Sequence, residues 1–111
     1  MAKILIVDDN PNYLGDALPM YGYEVDIAKN GVEALHKLTS NESNVKFDLV
    51  LLDVMMPKMD GYTATREIRT LSSNKKANIP IVAMTANAFE EDRQKAFKAG
   101  MNAHIAKPID M

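Results

Sequence analysis

Five short apolar segments punctuate the chain, separated by stretches with helical spacing. Lys3–Val7 (KILIV) and Asp48–Asp53 (DLVLLD) carry near-continuous apolar runs, and Pro80–Met84 (PIVAM) and Ala103–Ala106 (AHIA) repeat the theme. Unbroken runs of this length mark strands covered on both faces. Tyr23–Ala28 (YEVDIA) alternates polar and apolar residues, as a strand does. Between the strands, Leu14, Leu18 and Tyr21 recur at helical spacing, as do Val32, Leu35 and Leu38, and then Ala64, Ile68 and Leu71. A further helix is predicted from Glu90-Glu91-Asp92, with Lys95 and Lys98 near its end, the charge order that the helix dipole prefers.

Punctuation agrees with this reading. Asn10 is a good N-cap with Pro11 in the first helical position, and Asn30 with Glu33 forms a variant capping box. Gly22 and Gly100 stand where helices should stop. Pro57 and Asp60-Gly61 mark a loop, and the polar stretch Thr39–Lys46 another. The resulting order, βαβαβαβαβ, means a parallel sheet with helices on both faces.

Composition narrows the function. With 111 residues, the chain fits a single domain spanning 1–111. A formal net charge of -2 argues against a face for nucleic acid, which normally carries a basic excess. The absence of cysteine excludes thiolate chemistry and disulfides, and suits a reducing, cytoplasmic setting. The apolar runs are far too short to span a bilayer, and no signal peptide precedes the first.

Ligands of open α/β sheets bind beyond the carboxyl ends of the strands. The first strand is followed by Asp8-Asp9, the third ends in Asp53, the fourth is followed by Thr85-Ala86-Asn87, and the fifth by Lys107-Pro108. Three carboxylates, a hydroxyl and an ammonium are thus expected on one edge. Crowded carboxylates take up protons or bind a cation, and an all-oxygen set suits a hard one such as Mg²⁺. A carboxylate beside Mg²⁺ is a competent nucleophile toward a phosphoryl group, whose oxygens a lysine and a threonine hydroxyl can hold. Each motif alone has a plainer explanation: Asp8-Asp9 as a helix cap, Asp53 as a turn residue, Lys107-Pro108 as a solvated loop. Their coincidence at one sheet edge favours phosphoryl chemistry.

ILIVDDN, LLDVMMPKMDG, IVAMTA and AKPID, in this order, resemble the signature blocks of response-regulator receiver domains, over nearly the whole chain. The wording TANAF and GMNAHIAKPID is similar to receivers of hybrid kinases and phosphorelays. The resemblance implies a flavodoxin-like doubly wound fold of five parallel strands in the order 2-1-3-4-5. It implies Asp53 as phosphoacceptor, and Asp9, Asp53 and the Met55 backbone carbonyl as Mg²⁺ ligands with Asp8 close by. It implies Thr85 and Lys107 on the phosphoryl group. His104 occupies a position where the family commonly has an aromatic residue. It is either a side chain that turns inward as Thr85 moves toward the phosphate, or a half-buried strand histidine. His36 reads as an exposed surface residue. The implied partners are a histidine kinase or histidine phosphotransfer protein, and a downstream effector that reads the face of the fourth helix and fifth strand.

Two departures from the family stand out. The segment from Asn10 to Tyr23 is short by about one helical turn and contains Gly15 and Pro19, poor residues for a helix interior. The sequence ends at Met111, where the family is expected to continue into a fifth helix. The sheet face shared by the first and last helices is then left to segments outside this sequence, to an engineered shortening, or to a second copy of the chain, the last being least favoured. Rival functions fare worse. An aspartyl-phosphate phosphatase needs an acid two residues after the nucleophile, where Met55 stands. A nucleotide-binding flavodoxin-like domain needs a phosphate-cradling loop after the first strand, where Asp8-Asp9 has the wrong charge. An interaction module that signals without phosphorylation should have lost site residues, and all are present. The expected role is therefore a switch that assists its own modification rather than an enzyme with turnover.

Overall fold

The computed structural model describes residues 2–9, 12–39, 47–54, 61–71, 77–85 and 90–106. The elements, in chain order, are β1 (Lys3–Val7), α1 (Asn12–Met20), β2 (Glu24–Ala28), α2 (Gly31–Thr39), β3 (Leu49–Asp53), α3 (Gly61–Arg69), β4 (Ile81–Thr85), α4 (Glu90–Ala99) and β5 (Ala103–Ala106). All five strands run parallel in the order β2-β1-β3-β4-β5, as the resemblance implied.

Chain direction decides which face each helix covers. The path moves one way from β1 to β2 and then back across the sheet through β3, β4 and β5. Right-handed crossovers therefore put α1 on one face and α2, α3 and α4 on the other. Alternate strand residues sort accordingly. Leu5, Val7, Val50, Leu52, Ile81 and Ala83 pack against Ala34 and Leu38 of α2, Ala64 and Ile68 of α3, and Ala96 of α4. Ile4, Ile6, Leu51 and Met84 pack with Leu14 and Leu18 of α1, while Leu49, Val82 and Ile105 on that face are only partly buried. Gly15 lets α1 approach β2, since a Cβ there would lie 3.2 Å from Ile27 Cδ1.

Both expected glycine stops occur, with one geometry. At the end of α1, Gly22 N donates to Pro19 O (3.1 Å) and Tyr23 N to Leu18 O (3.4 Å); at the end of α4, Gly100 N donates to Phe97 O and Met101 N to Ala96 O, each at 3.0 Å. These paired bonds satisfy the last carbonyls of a helix and require a left-handed residue, and the two glycines have φ of 89° and 108°. The Asn30 cap also forms, its Oδ1 accepting from Glu33 N at 2.9 Å. The proposed cap at Asn10-Pro11 lies outside the described residues.

Two apolar positions differ from expectation. Tyr21 is 60% exposed, because it falls in the turn after α1 rather than on the helix face. Val32 is 54% exposed, and Gly31, Ala34 and Leu38 form the buried stripe of α2 instead. Successive steps of three drift around a helix, so Val32 and Leu38 lie about 120° apart, whereas positions seven apart nearly coincide. Small residues at 31 and 34 allow close packing that hydropathy alone does not reveal.

The lower end of the sheet is tied by one cation. Arg69 Nη1 donates to Ala77 O and Ile79 O, each at 2.7 Å, Nε to Gly100 O at 2.9 Å, and Nη2 to Asn102 Oδ1 at 2.8 Å. Burial lowers the Arg69 pKa from its ordinary value. Asn102 Oδ1 also accepts from Ile81 N at 2.9 Å. At the opposite, lateral margin, Asp26 of β2 accepts from its neighbour Ile27 N at 2.8 Å and pairs with Lys37 at 3.1 Å.

Gly22 and Gly100 separate backbone strain from crowding. An added Cβ meets nothing within 4 Å at Gly22, but lies 3.0 Å from Arg69 Cγ at Gly100. Gly22→Ala is expected to lower unfolding free energy by about 1 kcal/mol through its φ alone. Gly100→Ala is expected to lose about 2–3 kcal/mol, since the Arg69 bonds must also shift. Urea unfolding of the two variants against the parent checks the order.

Candidate functional site

The ladder between β1 and β3 aligns Val7 with Leu52, and the one between β3 and β4 aligns Asp53 with Met84. The residues that continue β1 and close β3 therefore emerge side by side at the carboxyl edge. This is also where the chain reverses direction across the sheet, the place where open α/β sheets bind ligands. Carboxylate oxygens of Asp8, Asp9 and Asp53 all lie within 4.8 Å of one another. Asp8 is 2% and Asp53 7% exposed, whereas Asp9 is open to solvent.

That arrangement has an electrostatic consequence. At 4.8 Å and an effective dielectric of about 20, each pair of ionised carboxylates repels by about 3 kcal/mol. Only hard oxygen donors are present, one of them solvent-accessible, so the cluster fits a small divalent cation such as Mg²⁺ with room for water in its shell. Thr85 closes β4 one residue beyond the Asp53 level and is 3% exposed. Asp8, Asp53 and Thr85 each make a further interaction. The proposed Met55 carbonyl and Lys107 lie outside the described residues. The structure thus brings together Asp8, Asp9 and Asp53, and sets Thr85 on the next strand.

His104 is half-buried on β5, paired in register with Ala83. Thr85 pairs with Ala106, so Thr85 and His104 stand on one sheet face, diagonal to each other. His104 Nε2 is buried and has no hydrogen-bond partner among the described residues. His36 is exposed, as expected.

A profile of the response regulator receiver domain matches residues 4–111. The chain belongs to the response-regulator receiver family. Its relatives agree with the hybrid-kinase wording of TANAF and GMNAHIAKPID. It is 40% identical over 111 residues to the sensor histidine kinase RcsC of Salmonella typhimurium, covering 97% of this chain and 11% of that protein. It is 41% identical over 115 residues to the hybrid signal transduction histidine kinase L of Dictyostelium discoideum, covering 98% of this chain and 7% of that protein. The receiver thus spans only about a tenth of these kinases. Among solved structures, the chemotaxis protein CheY4 of Vibrio cholerae superposes with a TM-score of 0.88 at 32% identity, covering 99% of this chain and 89% of that one. The receiver domain of sensor histidine kinase PA1611 of Pseudomonas aeruginosa, determined with magnesium in its active-site cleft, gives 0.82 at 37% identity, covering 98% and 87%. No helix among the described residues is long and apolar enough to cross a membrane.

Sequence reasoning overlooked Gly61 as more than a loop marker. It is the buried first residue of α3, and it packs on the backbone of Asp53 and Val54.

Two outcomes follow for this receiver. Mg²⁺ at a hundred times its dissociation constant is expected to add about 2.7 kcal/mol to stability. Asp9→Asn should remove most of that gain. Urea unfolding with and without Mg²⁺ reads both. His104→Phe removes an unpaired buried nitrogen and is expected to stabilise the protein by about 1 kcal/mol in the same assay.

Proposed function

We propose that this receiver is a phosphoacceptor switch in which Asp53 takes a phosphoryl group from a histidine kinase or histidine phosphotransfer protein. The observation that carries the reading is the convergence of the Asp8, Asp9 and Asp53 carboxylates within 4.8 Å at the switch point of the sheet. Asp8, Asp9 and Asp53, with the Met55 carbonyl, would hold Mg²⁺. The ion would supply positive charge against which the phosphoryl oxygens and the carboxylates can approach.

An Asp53 oxygen attacks phosphorus, the bond from phosphorus to the donor imidazole nitrogen breaks, and the imidazole leaves with a proton. Thr85 donates its hydroxyl to a phosphoryl oxygen and Lys107 places its ammonium against another, which stabilises charge spread over those oxygens during transfer. The domain assists its own modification and turns over no substrate of its own. As Thr85 moves toward the phosphate, it vacates space on the face it shares with His104, and the imidazole turns inward. The face formed by α4 and β5 then changes shape, and with it the affinity for an effector. The electrostatic event is local, and its readout is a bias on a two-state element.

The test is incubation with acetyl phosphate and Mg²⁺, followed by intact mass. The parent is expected to gain one phosphoryl group, and neither Asp53→Asn nor a chelated sample should do so. Thr85→Ala is expected to slow the gain by on the order of a hundredfold, as loss of one oxyanion donor does elsewhere. A folded parent that gains nothing would sink the proposal.

A further inference from the structure

Between Asp53 and α3 the chain leaves the sheet through Val54 and returns at Gly61. The two ends of this excursion are joined: Gly61 N donates to Val54 O at 3.2 Å, and Val54 N donates to Met84 O at 3.1 Å. The hydroxyl of Thr65, itself fully buried, donates to Gly61 O at 2.8 Å. The Gly61–Val54 bond fastens the first turn of α3 to the peptide that follows Asp53, and the Thr65 bond braces that turn from within the helix.

Space, not backbone freedom, explains the glycine. Gly61 is not among the glycines with positive φ, so alanine could adopt its conformation. A Cβ at this position, however, would lie 2.7 Å from Asp53 O, 2.7 Å from Val54 Cα and 3.2 Å from Asp53 C. All three are backbone atoms, which no change of rotamer relieves. Ordinary contact begins at 3.4 Å, so something must move by about 0.7 Å, the difference of 3.4 and 2.7. Neither flank yields readily. The body of β3 is paired on both sides, and α3 is anchored by Ala64, Thr65 and Ile68, all buried. The displacement therefore falls on Asp53 and Val54.

We propose that Gly61 is a positioning residue for the carboxylate site: its bare Cα seats α3 against the Asp53–Val54 peptide and so sets the pose of Asp53 toward Asp8 and Asp9. This rests on the reading of Asp53 as metal ligand and phosphoacceptor.

The experiment compares the parent with Gly61→Ala, and with Gly15→Ala as a control in which a tight glycine touches only the Ile27 side chain. Amide shifts of Asp53 and Val54 are recorded without metal, Mg²⁺ affinity is measured by calorimetry, and phosphorylation by acetyl phosphate is timed. In folded Gly61→Ala, the two amides are expected to move, Mg²⁺ affinity to fall about tenfold or more, and phosphorylation to slow by about a hundredfold. Gly15→Ala should match the parent in all three. Parent-like amides and affinity in Gly61→Ala would overturn the inference, as would an equal loss in Gly15→Ala. If Gly61→Ala does not fold, Thr65→Val removes the Oγ1–Gly61 bond without adding an atom at position 61. Reduced Mg²⁺ affinity there supports the inference, and unchanged affinity overturns it. A parent that neither binds Mg²⁺ nor accepts phosphate would instead remove the phosphoacceptor reading.

Discussion

Two buried strands lying in fixed register hold like charges where electrostatics would part them. β1 and β3 pair from Ile4–Leu49 to Val7–Leu52, and the next step along each strand is a carboxylate. Repulsion between Asp8 and Asp53 is about 3 kcal/mol when both are ionised. Against it stand Leu5, Ile6, Val7 and Leu52, all buried, at about 1.5–3 kcal/mol for each side chain removed from water. The core wins by a wide margin. A slip of one residue would send every inward side chain to the other face, so the register cannot relax to relieve the charge. The acidic edge is a standing demand for positive charge, imposed by packing a few ångströms away.

The other end of the sheet solves the inverse problem. Arg69 brings a cation among carbonyl oxygens of Ala77, Ile79 and Gly100 and the side chain of Asn102. Its acceptors are neutral, and each bond to a charged donor contributes more than one between neutral groups. α3, the approach to β4 and the turn from α4 into β5 are thereby drawn to one point.

Much of this was legible in the sequence, for reasons that can be named. Strands covered on both faces must be apolar throughout, so KILIV and LVLLD declare themselves. Helix stops need left-handed residues, so Gly22 and Gly100 do too. Asp8, Asp9, Asp53 and Thr85 follow from asking what each strand carries at its end. Where the determinant is a distant partner, the sequence is silent. Nothing near Val32 says that Gly31 and Ala34 will face the sheet, and nothing near Arg69 points to Asn102. Gly61 looked like a turn residue because its reason, the backbone of Asp53, is eight positions away in sequence and in contact only after folding.

The Asp26 carboxylate on β2 has a consequence for how copies of this domain meet. β2 is the first strand of the sheet, and its outer margin would ordinarily offer amide hydrogens to any extended chain nearby. Asp26 takes the Ile27 amide for itself, and Lys37 holds the carboxylate in place. An incoming strand would have to displace that pair and then lie against a negative charge. The domain is thus guarded on this side against edge-to-edge stacking, a safeguard that matters wherever many receivers are crowded together at high local concentration.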